Sequence, residues 1–363
     1  MRQAGPARAR IRDLGVVPGT LPPGPGNAVT DVPGVRVGHA TVIEAARGGH
    51  GTAEHGATEH GEIRSGVTAI VHDALLGRDP DGRRALPAGL AVFNGFGKMT
   101  GATQLDELGS IETPVLLTST LSVFRVADAL LTYLHGLPAF AGPPSLNPVV
   151  AETNDGHLSD IWARRITAGH VAAALDNAAA GLVAEGCVGA GTGTRALGFK
   201  AGIGTSSRRV ATVAGGPVTV GALVQSNFGG LLTVCGRPVP PPAPQPSHAG
   251  NSCVIVLATD AALDAAALRR LASRAFAGMT RTGSDFSGRS GDYSLTVSIA
   301  SAGEPAVPAE DLDLLFTAAI EATEEAILNS LCMAVTTTGY QGHVSEAVPL
   351  ELISGTRDSR YGS

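Results

Sequence analysis

Ser252 is the residue best placed to act as a nucleophile. It follows Asn251 and a proline-rich stretch, Pro238 to Pro246, and precedes the apolar run Cys253-Val254-Ile255-Val256-Leu257-Ala258. Prolines at that density exclude a helix or a central strand. The short β-branched run after them, bounded by polar residues, predicts a fully buried strand. A serine hydroxyl is a weak nucleophile until a base removes its proton. If the chain is cut between Asn251 and Ser252, the nearest base is the new α-amine of Ser252 itself, which titrates near ~8. The same position also suits a serine that merely opens a strand.

Three other groupings invite chemistry and are better explained without it. His39, His50, His55 and His60 lie in or beside the glycine-rich segment 44–62. Their loose spacing fits a mobile loop or surface arm better than a metal site. Gly189 to Thr194 superficially resembles a phosphate cradle. The residues after it alternate like a hairpin rather than opening a helix, so tight turns account for the glycines. Cys187, Cys235, Cys253 and Cys332 are scattered, without C-x-x-C spacing, and read as reduced core thiols of a cytosolic protein.

The 363 residues suffice for two average domains or one large α/β unit. With 44% hydrophobic and 16% charged residues, a sizeable core is available. The net charge of −6, with no long basic cluster, excludes general attraction to nucleic acid or an anionic membrane. No stretch approaches the roughly 18 apolar residues of a membrane span. Residues 1–26 lack the apolar core of a secretory signal and are expected to be a mobile tail. A cytoplasmic location is the resulting expectation.

The elements that must position Ser252 are legible in outline. Residues 27–39 read as a hairpin-like start, turned at Pro33-Gly34. Strands are expected over 65–72, 90–94, 113–118, 147–153, 293–300 and 347–352. Helical spacing is found over 102–108, 123–135, 167–184, 264–279 and 309–338, the last with an acidic first turn suited to the helix dipole. Strands and helices on both sides of Ser252 imply layered sheets with helices outside, as one α/β unit.

With these pieces in place, the chain resembles the L-aminopeptidase/D-esterase family, the DmpA-type or β-peptidyl aminopeptidases. The resemblance rests on Asn27 to His39; Asn94-Gly95-Phe96-Gly97-Lys98 with Glu112-Thr113-Pro114; Glu152-Thr153-Asn154-Asp155-Gly156; Val188 to Arg208; Val224 to Gly229; the Asn251-Ser252 junction; Arg289-Ser290-Gly291-Asp292-Tyr293; and Thr338 to His343. Together they cover most of residues 27–352 in order. The resemblance implies an α/β fold, a four-layer αββα sandwich akin to N-terminal-nucleophile hydrolases and shared as an architecture with ornithine acetyltransferase. It implies one catalytic domain over 27–363, cut by itself into an α chain 1–251 and a β chain 252–363. Short peptides, amides and esters with a free amine are the implied substrates, and a homotetramer is the implied assembly; no ligand set in the sequence suggests a metal, and no cofactor is expected.

The resemblance also implies a role for each of several residues. Ser252 is the nucleophile in maturation and in turnover, and Asn251 is the residue left at the end of the α chain; some relatives carry glycine there. The family places a serine and an acidic residue at the positions of Ser290 and Asp292, where they orient the nucleophile and its amine. Asn227 is the candidate oxyanion donor. Glu152 is expected to hold the substrate ammonium, with Asn154 lining the same pocket. Lys200 is either an electrostatic helper near the nucleophile or a plain exposed lysine. Alternatives are an oligoamide hydrolase of the nylon-oligomer type, which a threonine nucleophile fits better; an ornithine acetyltransferase, which also expects threonine at the cut; and an unprocessed, inactive scaffold.

Overall fold

The computed structural model describes residues 7–48, 59–79, 82–142, 145–212, 216–241, 251–301, 304 and 306–354. Seventeen strands are present among them: β1 (Val35–Glu44), β2 (Ile63–His72), β3 (Leu86–Gly95), β4 (Met99–Thr100), β5 (Ser110–Ile111), β6 (Val115–Ser119), β7 (Val149–Thr153), β8 (Arg195–Ala196), β9 (Phe199–Lys200), β10 (Ile203–Thr212), β11 (Gly216–Asn227), β12 (Thr233–Val234), β13 (Arg237–Pro238), β14 (Asn251–Thr259), β15 (Ser290–Ser298), β16 (Thr337–Thr338) and β17 (Val344–Ser345). The helices are α1 (Asp73–Leu76), α2 (Ala102–Leu108), α3 (Val123–His135), α4 (Ala168–Asp176), α5 (Ala265–Arg281) and α6 (Leu312–Cys332).

Two sheets carry the fold. One runs β1-β2-β6-β7-β4 and the other β10-β11-β14-β15-β3-β5. Among the described residues, their only parallel neighbours are β6 with β7 and β14 with β15. A parallel pair needs a crossover, and α3 and α5 lie in those two connections.

Three apolar cores stack in series. Between the sheets, Val37, Ile70 and Leu117 meet Leu223, Val254 and Leu295. Behind the second sheet, Ile255 and Leu257 pack with Leu268 and Leu271 of α5 and Leu328 of α6. Behind the first, Leu116 and Val150 pack with Val126 and Leu130 of α3 and Val171 of α4. The layer order is therefore αββα, as the resemblance implies.

β14 shows why its sequence lacks alternation. Cys253, Ile255 and Leu257 face the α5/α6 side, while Val254, Val256 and Ala258 face the other sheet. A strand buried on both faces needs apolar residues throughout. α5 begins where Asp264 accepts from the Ala267 N–H at 2.8 Å, an N-cap bond. Its Leu268, Leu271, Ala272 and Ala275 form the buried stripe expected of that spacing.

Several expectations change at this level. Residues 27–39 do not form their own hairpin: Val29–Asp31 is a 3-10 turn and β1 pairs with β2 along its whole length. The helix expected over 167–184 stops at Asp176. There Ala179 exchanges two main-chain hydrogen bonds with Val37, 3.1 Å each, so the backbone is satisfied across the sheet instead of along a helix. The helix expected to reach residue 338 ends at Cys332. Arg8 caps it, donating to the carbonyls of Cys332 at 2.6 Å and Leu331 at 3.2 Å. The strand expected over 347–352 is a 3-10 turn, Leu350–Leu352, opened by Pro349. The described part of the expected tail is packed: Ile11 and Val16 have no exposed surface. Arg12 pairs with Glu325 and Arg10 with Glu185.

Candidate active site

Ser252 is the second residue of β14, one of the two middle strands of the second sheet. Register sets it opposite Asn227 of β11 on one side and Gly291 of β15 on the other, between Ser290 and Asp292. Four of the predicted residues are thus gathered by strand pairing alone. All four, and Glu152, are at most 2% exposed, so each polar group must find an internal partner.

Asp292 is the most heavily bonded. Ser290 Oγ donates to its Oδ1 at 2.6 Å and Asn94 Nδ2 donates to its Oδ2 at 2.8 Å. Burial holds its carboxyl above the ordinary range, while these donors and the Cys253 main-chain N–H pull the other way. The carboxylate therefore reaches the main chain one residue past Ser252. That is where a carboxylate could steady an ammonium on Ser252.

Asn94 sits at the bulge where β3 pairs with β15, and it also donates to the carbonyls of Phe286 and Ser287. The segment after it lies tightly on β15. Phe96 N–H donates to the Ser290 carbonyl at 3.1 Å. A Cβ on Gly291 would stand 2.9 Å from Gly97 Cα, so only glycine permits this approach. Two residues beyond Phe96, Lys98 N–H donates to Glu152 Oε1 at 3.1 Å, and the Lys98 ammonium lies 3.7 Å from the same oxygen. Residues 94–98 thereby tie the Ser290–Asp292 pair to Glu152.

Glu152 lies near the end of β7, deep in the protein. Burial raises its pKa above the ordinary glutamate value, with Lys98 opposing the shift. Its Oε2 is buried with no hydrogen-bond partner among the described residues. An unpaired carboxylate oxygen in such a place gains from any donor that reaches it. The Tyr293 hydroxyl, near both Glu152 and Asp292, is pushed up to about 12 by burial and by those two carboxylates, and so remains protonated at working pH.

Asn227 is held at both ends of its amide. Oδ1 accepts from the Arg195 main-chain N–H at 3.1 Å and Nδ2 donates to the Asn154 carbonyl at 3.0 Å. Asn154 thus joins the site through its main chain. Its side-chain Oδ1 accepts from Gly156 N–H at 3.0 Å, closing a local turn rather than lining a pocket with its amide.

Lys200 has no exposed surface, which removes the reading as a plain exposed lysine. Its ammonium donates to the carbonyls of Gly191, at 3.2 Å, and Ala201, inside the glycine-rich segment. Burial lowers its pKa, and Asp155 is among the charges that oppose the shift. Asp155 is itself buried, accepts from Ser119 Oγ at 2.6 Å, and is raised to about 6 by burial.

The histidines do not converge. His39 bonds Thr68 Oγ1 at 3.0 Å and is held at about 4 by burial, whereas His60 lies 3.2 Å from Glu44. His50 and His55 lie outside the described residues. Among the described residues no cluster of three or more His, Cys, Asp or Glu could hold a metal ion. Nor is any described helix long and apolar enough to cross a membrane.

Asn94, Lys98 and Tyr293 stand inside the motifs that carry the resemblance, but the sequence gives no hint of their roles. The partners lie 198 residues apart for Asn94 and Asp292 and 54 apart for Lys98 and Glu152. The only local signal is the polar, glycine-rich break straight after a buried strand.

Comparison with known proteins agrees with this geometry. The family model for Peptidase family S58 matches residues 27–345. The chain is 40% identical to a β-peptidyl aminopeptidase BapA of Sphingosinicella microcystinivorans, covering 96% of this chain and 92% of the relative. Among solved structures it resembles a Burkholderia sp. β-aminopeptidase, with TM-score 0.83 and 38% identity over 96% of this chain and all of that one. It also resembles the L-aminopeptidase D-Ala-esterase/amidase of Ochrobactrum anthropi, described as a prototype of the serine aminopeptidases and a variant of the Ntn hydrolase fold. That match has TM-score 0.80 and 36% identity, covering 94% of this chain and 96% of the other. The fold, the serine at the head of the central strand and these likenesses agree: the chain is a hydrolase of peptide bonds and belongs to peptidase family S58.

Proposed function

We propose that this protein is a self-processing N-terminal-nucleophile serine aminopeptidase. Ser252 Oγ attacks the Asn251 carbonyl, the peptide bond breaks to an ester, and water opens the ester. This leaves an α chain ending at Asn251 and a β chain starting at Ser252. In turnover the same Oγ attacks the carbonyl of a substrate's first residue while the Ser252 amine takes its proton. The leaving amine departs with a proton, and water releases the acyl group. The single observation carrying this reading is the strand register that brackets Ser252 with Asn227 on one side and Ser290 and Asp292 on the other.

Asp292, hydrogen-bonded by Ser290 and Asn94, steadies the Ser252 ammonium before it gives up its proton. Asn227 supplies the amide donor for the oxyanion, exchanging the Asn154 carbonyl for the substrate oxygen as the bound acyl group becomes tetrahedral. Glu152 Oε2 receives the substrate ammonium. The names of the relatives support α-L, D-alanyl and β-amino acyl groups as the substrate classes to test. A cytoplasmic tetramer of cleaved protomers completes the reading. Hydrolysis of a panel of aminoacyl p-nitroanilides by the purified protein tests it. Release of nitroaniline only from compounds with a free amine is expected, and equal rates on N-acetylated compounds would refute it.

Glu152→Gln is expected to raise KM for anilides with a free amine by about ten- to a hundredfold, the span of a charge-assisted hydrogen bond. Cleavage at 251/252 should proceed as in the wild type. The pH profile supplies the sign. Protonating the Ser252 amine sets one acid limb of kcat/KM in both proteins. Protonated Glu152 cannot pair with an ammonium, and burial holds its pKa above the ordinary 4.5, so the wild type should carry a second acid component above that pH, which the Gln variant should lack. Equal kinetics and equal pH profiles for both proteins would remove Glu152 from substrate recognition.

A further inference from the structure

Among the described residues, Arg195 is an arginine without an anion. Its guanidinium makes no ion pair or hydrogen bond among the described residues, and its Nη1 is buried without a partner. Other part-buried arginines end on something: Arg10 and Arg12 on carboxylates, Arg8 and Arg84 on main-chain carbonyls. Among the described residues, His157 lies close enough to feel the Arg195 charge. The rings of His157 and His343 stack 4.6 Å apart, and His343 Nδ1 lies 3.0 Å from the His157 carbonyl. Burial lowers His157 to about 4, with Arg195 and then His343 adding to the shift. A guanidinium nitrogen withdrawn from water and left unpaired, as Nη1 is, costs stability unless a ligand compensates it.

The place of this residue says what that ligand is. The Arg195 main-chain N–H bonds Asn227 Oδ1 at 3.1 Å, so its backbone is one hydrogen bond from the proposed oxyanion donor. Asn227 in turn stands across from Ser252. The neighbouring His157 comes directly after the turn whose Asn154 carbonyl accepts from Asn227. Glu152, by contrast, is reached through Lys98 and the 94–98 segment. The site thus has a carboxylate for an ammonium and, on a separate element whose main chain bonds the oxyanion donor, an unpaired guanidinium. A substrate carrying an ammonium on its acyl half and a carboxylate on its leaving half satisfies both. In a dipeptide the leaving amine and the carboxylate share one carbon, or two in a β-amino acid, so the carboxylate stays near the bond that breaks.

We propose that Arg195 binds the terminal carboxylate of the leaving group, making the enzyme selective for dipeptides over the corresponding amides. This rests on the aminopeptidase reading above and adds the substrate's second half. A guanidinium holds a carboxylate by a two-pronged, charge-assisted bond.

The test compares one aminoacyl-glycine dipeptide, its glycinamide analogue and the matching p-nitroanilide, with wild-type, Arg195→Met and Arg195→Lys proteins. In the wild type the dipeptide should show a KM at least about tenfold below that of the amide. In Arg195→Met that gap closes, whatever loss the two substrates share, and Arg195→Lys keeps part of it. Wild-type protein that cleaves the anilide but does not tell dipeptide from amide overturns the carboxylate site alone, even if the variants fail to fold. Wild-type protein that cleaves none of the three removes the aminopeptidase reading and the carboxylate site with it. A folded Arg195→Met protein that loses both substrates equally and keeps the gap, or keeps the gap while its assembly changes, assigns Arg195 to structure or to subunit contact and overturns the proposal.

Discussion

Ser252→Ala should leave a single 36.5 kDa chain and lower kcat/KM on aminoacyl anilides by at least about a thousandfold. The size reflects the loss of both roles at once. Without Oγ no ester forms with Asn251, so no new amine appears. Without that amine, even a substrate placed against Asn227 meets neither nucleophile nor base. The substitution removes one oxygen at the start of a strand whose later residues, Cys253 to Ala258, make the cores on both faces. Folding should therefore be close to that of the wild type, and circular dichroism with size exclusion would establish this. A variant that still splits at 251/252 would take Ser252 out of the mechanism.

Arg208→Met should cost about 3–5 kcal/mol of stability, measured by denaturant unfolding in the Ser252→Ala background. Arg208 has no exposed surface. It donates to Glu321 at 3.1 Å, to Glu325 at 2.8 Å and to the Pro18 carbonyl at 2.8 Å. Glu321 also accepts from the main chain at Thr20 and Leu21, and Glu325 from Arg12. The network thus fastens the N-terminal segment, β10 and α6 together behind β11. Methionine fills the volume but leaves two buried carboxylates short of a cation. Burial pushes Glu325 up, yet Arg208 and Arg12 more than offset this and hold it below the ordinary range. A carboxylate lowered in the folded state adds stability at neutral pH, lost as pH falls through the folded value. Arg208→Met should therefore be closest to the wild type in acid and furthest from it near neutral pH. A difference under about 1 kcal/mol at neutral pH would deny the network its fastening role.

The readable parts of this sequence are those that local patterning dictates. Cys253 to Ala258 had to be a buried strand because every residue is apolar and a proline-dense stretch precedes it. Its place in the middle of a sheet comes from burial on both faces. Helices α3 and α5 are legible because their apolar positions recur with helical spacing. Errors arise where a distant group supplies the hydrogen bonds. α6 ends under the side chain of Arg8, 324 residues away in the sequence. The alanine-rich stretch after Asp176 leaves the helix to pair with Val37. The N-terminal segment reads as a tail because it is rich in proline and glycine, but its Arg12 finds a buried glutamate of α6. The site divides along the same line. Ser252 is legible from its own neighbours. Ser290, Asp292, Asn227 and Glu152 come from the resemblance. The ties made by Asn94, Lys98 and Arg195 need the folded chain.

The central claim is a peptide bond broken before Ser252, leaving hydroxyl and amine on one residue. Intact-mass analysis of the purified, active wild-type protein, with sequencing of each chain's first residues, tests it most directly. Two polypeptides that separate only on denaturation, the smaller beginning at Ser252, are expected. Undivided chains of 36.5 kDa that hydrolyse aminoacyl anilides at full rate would contradict it.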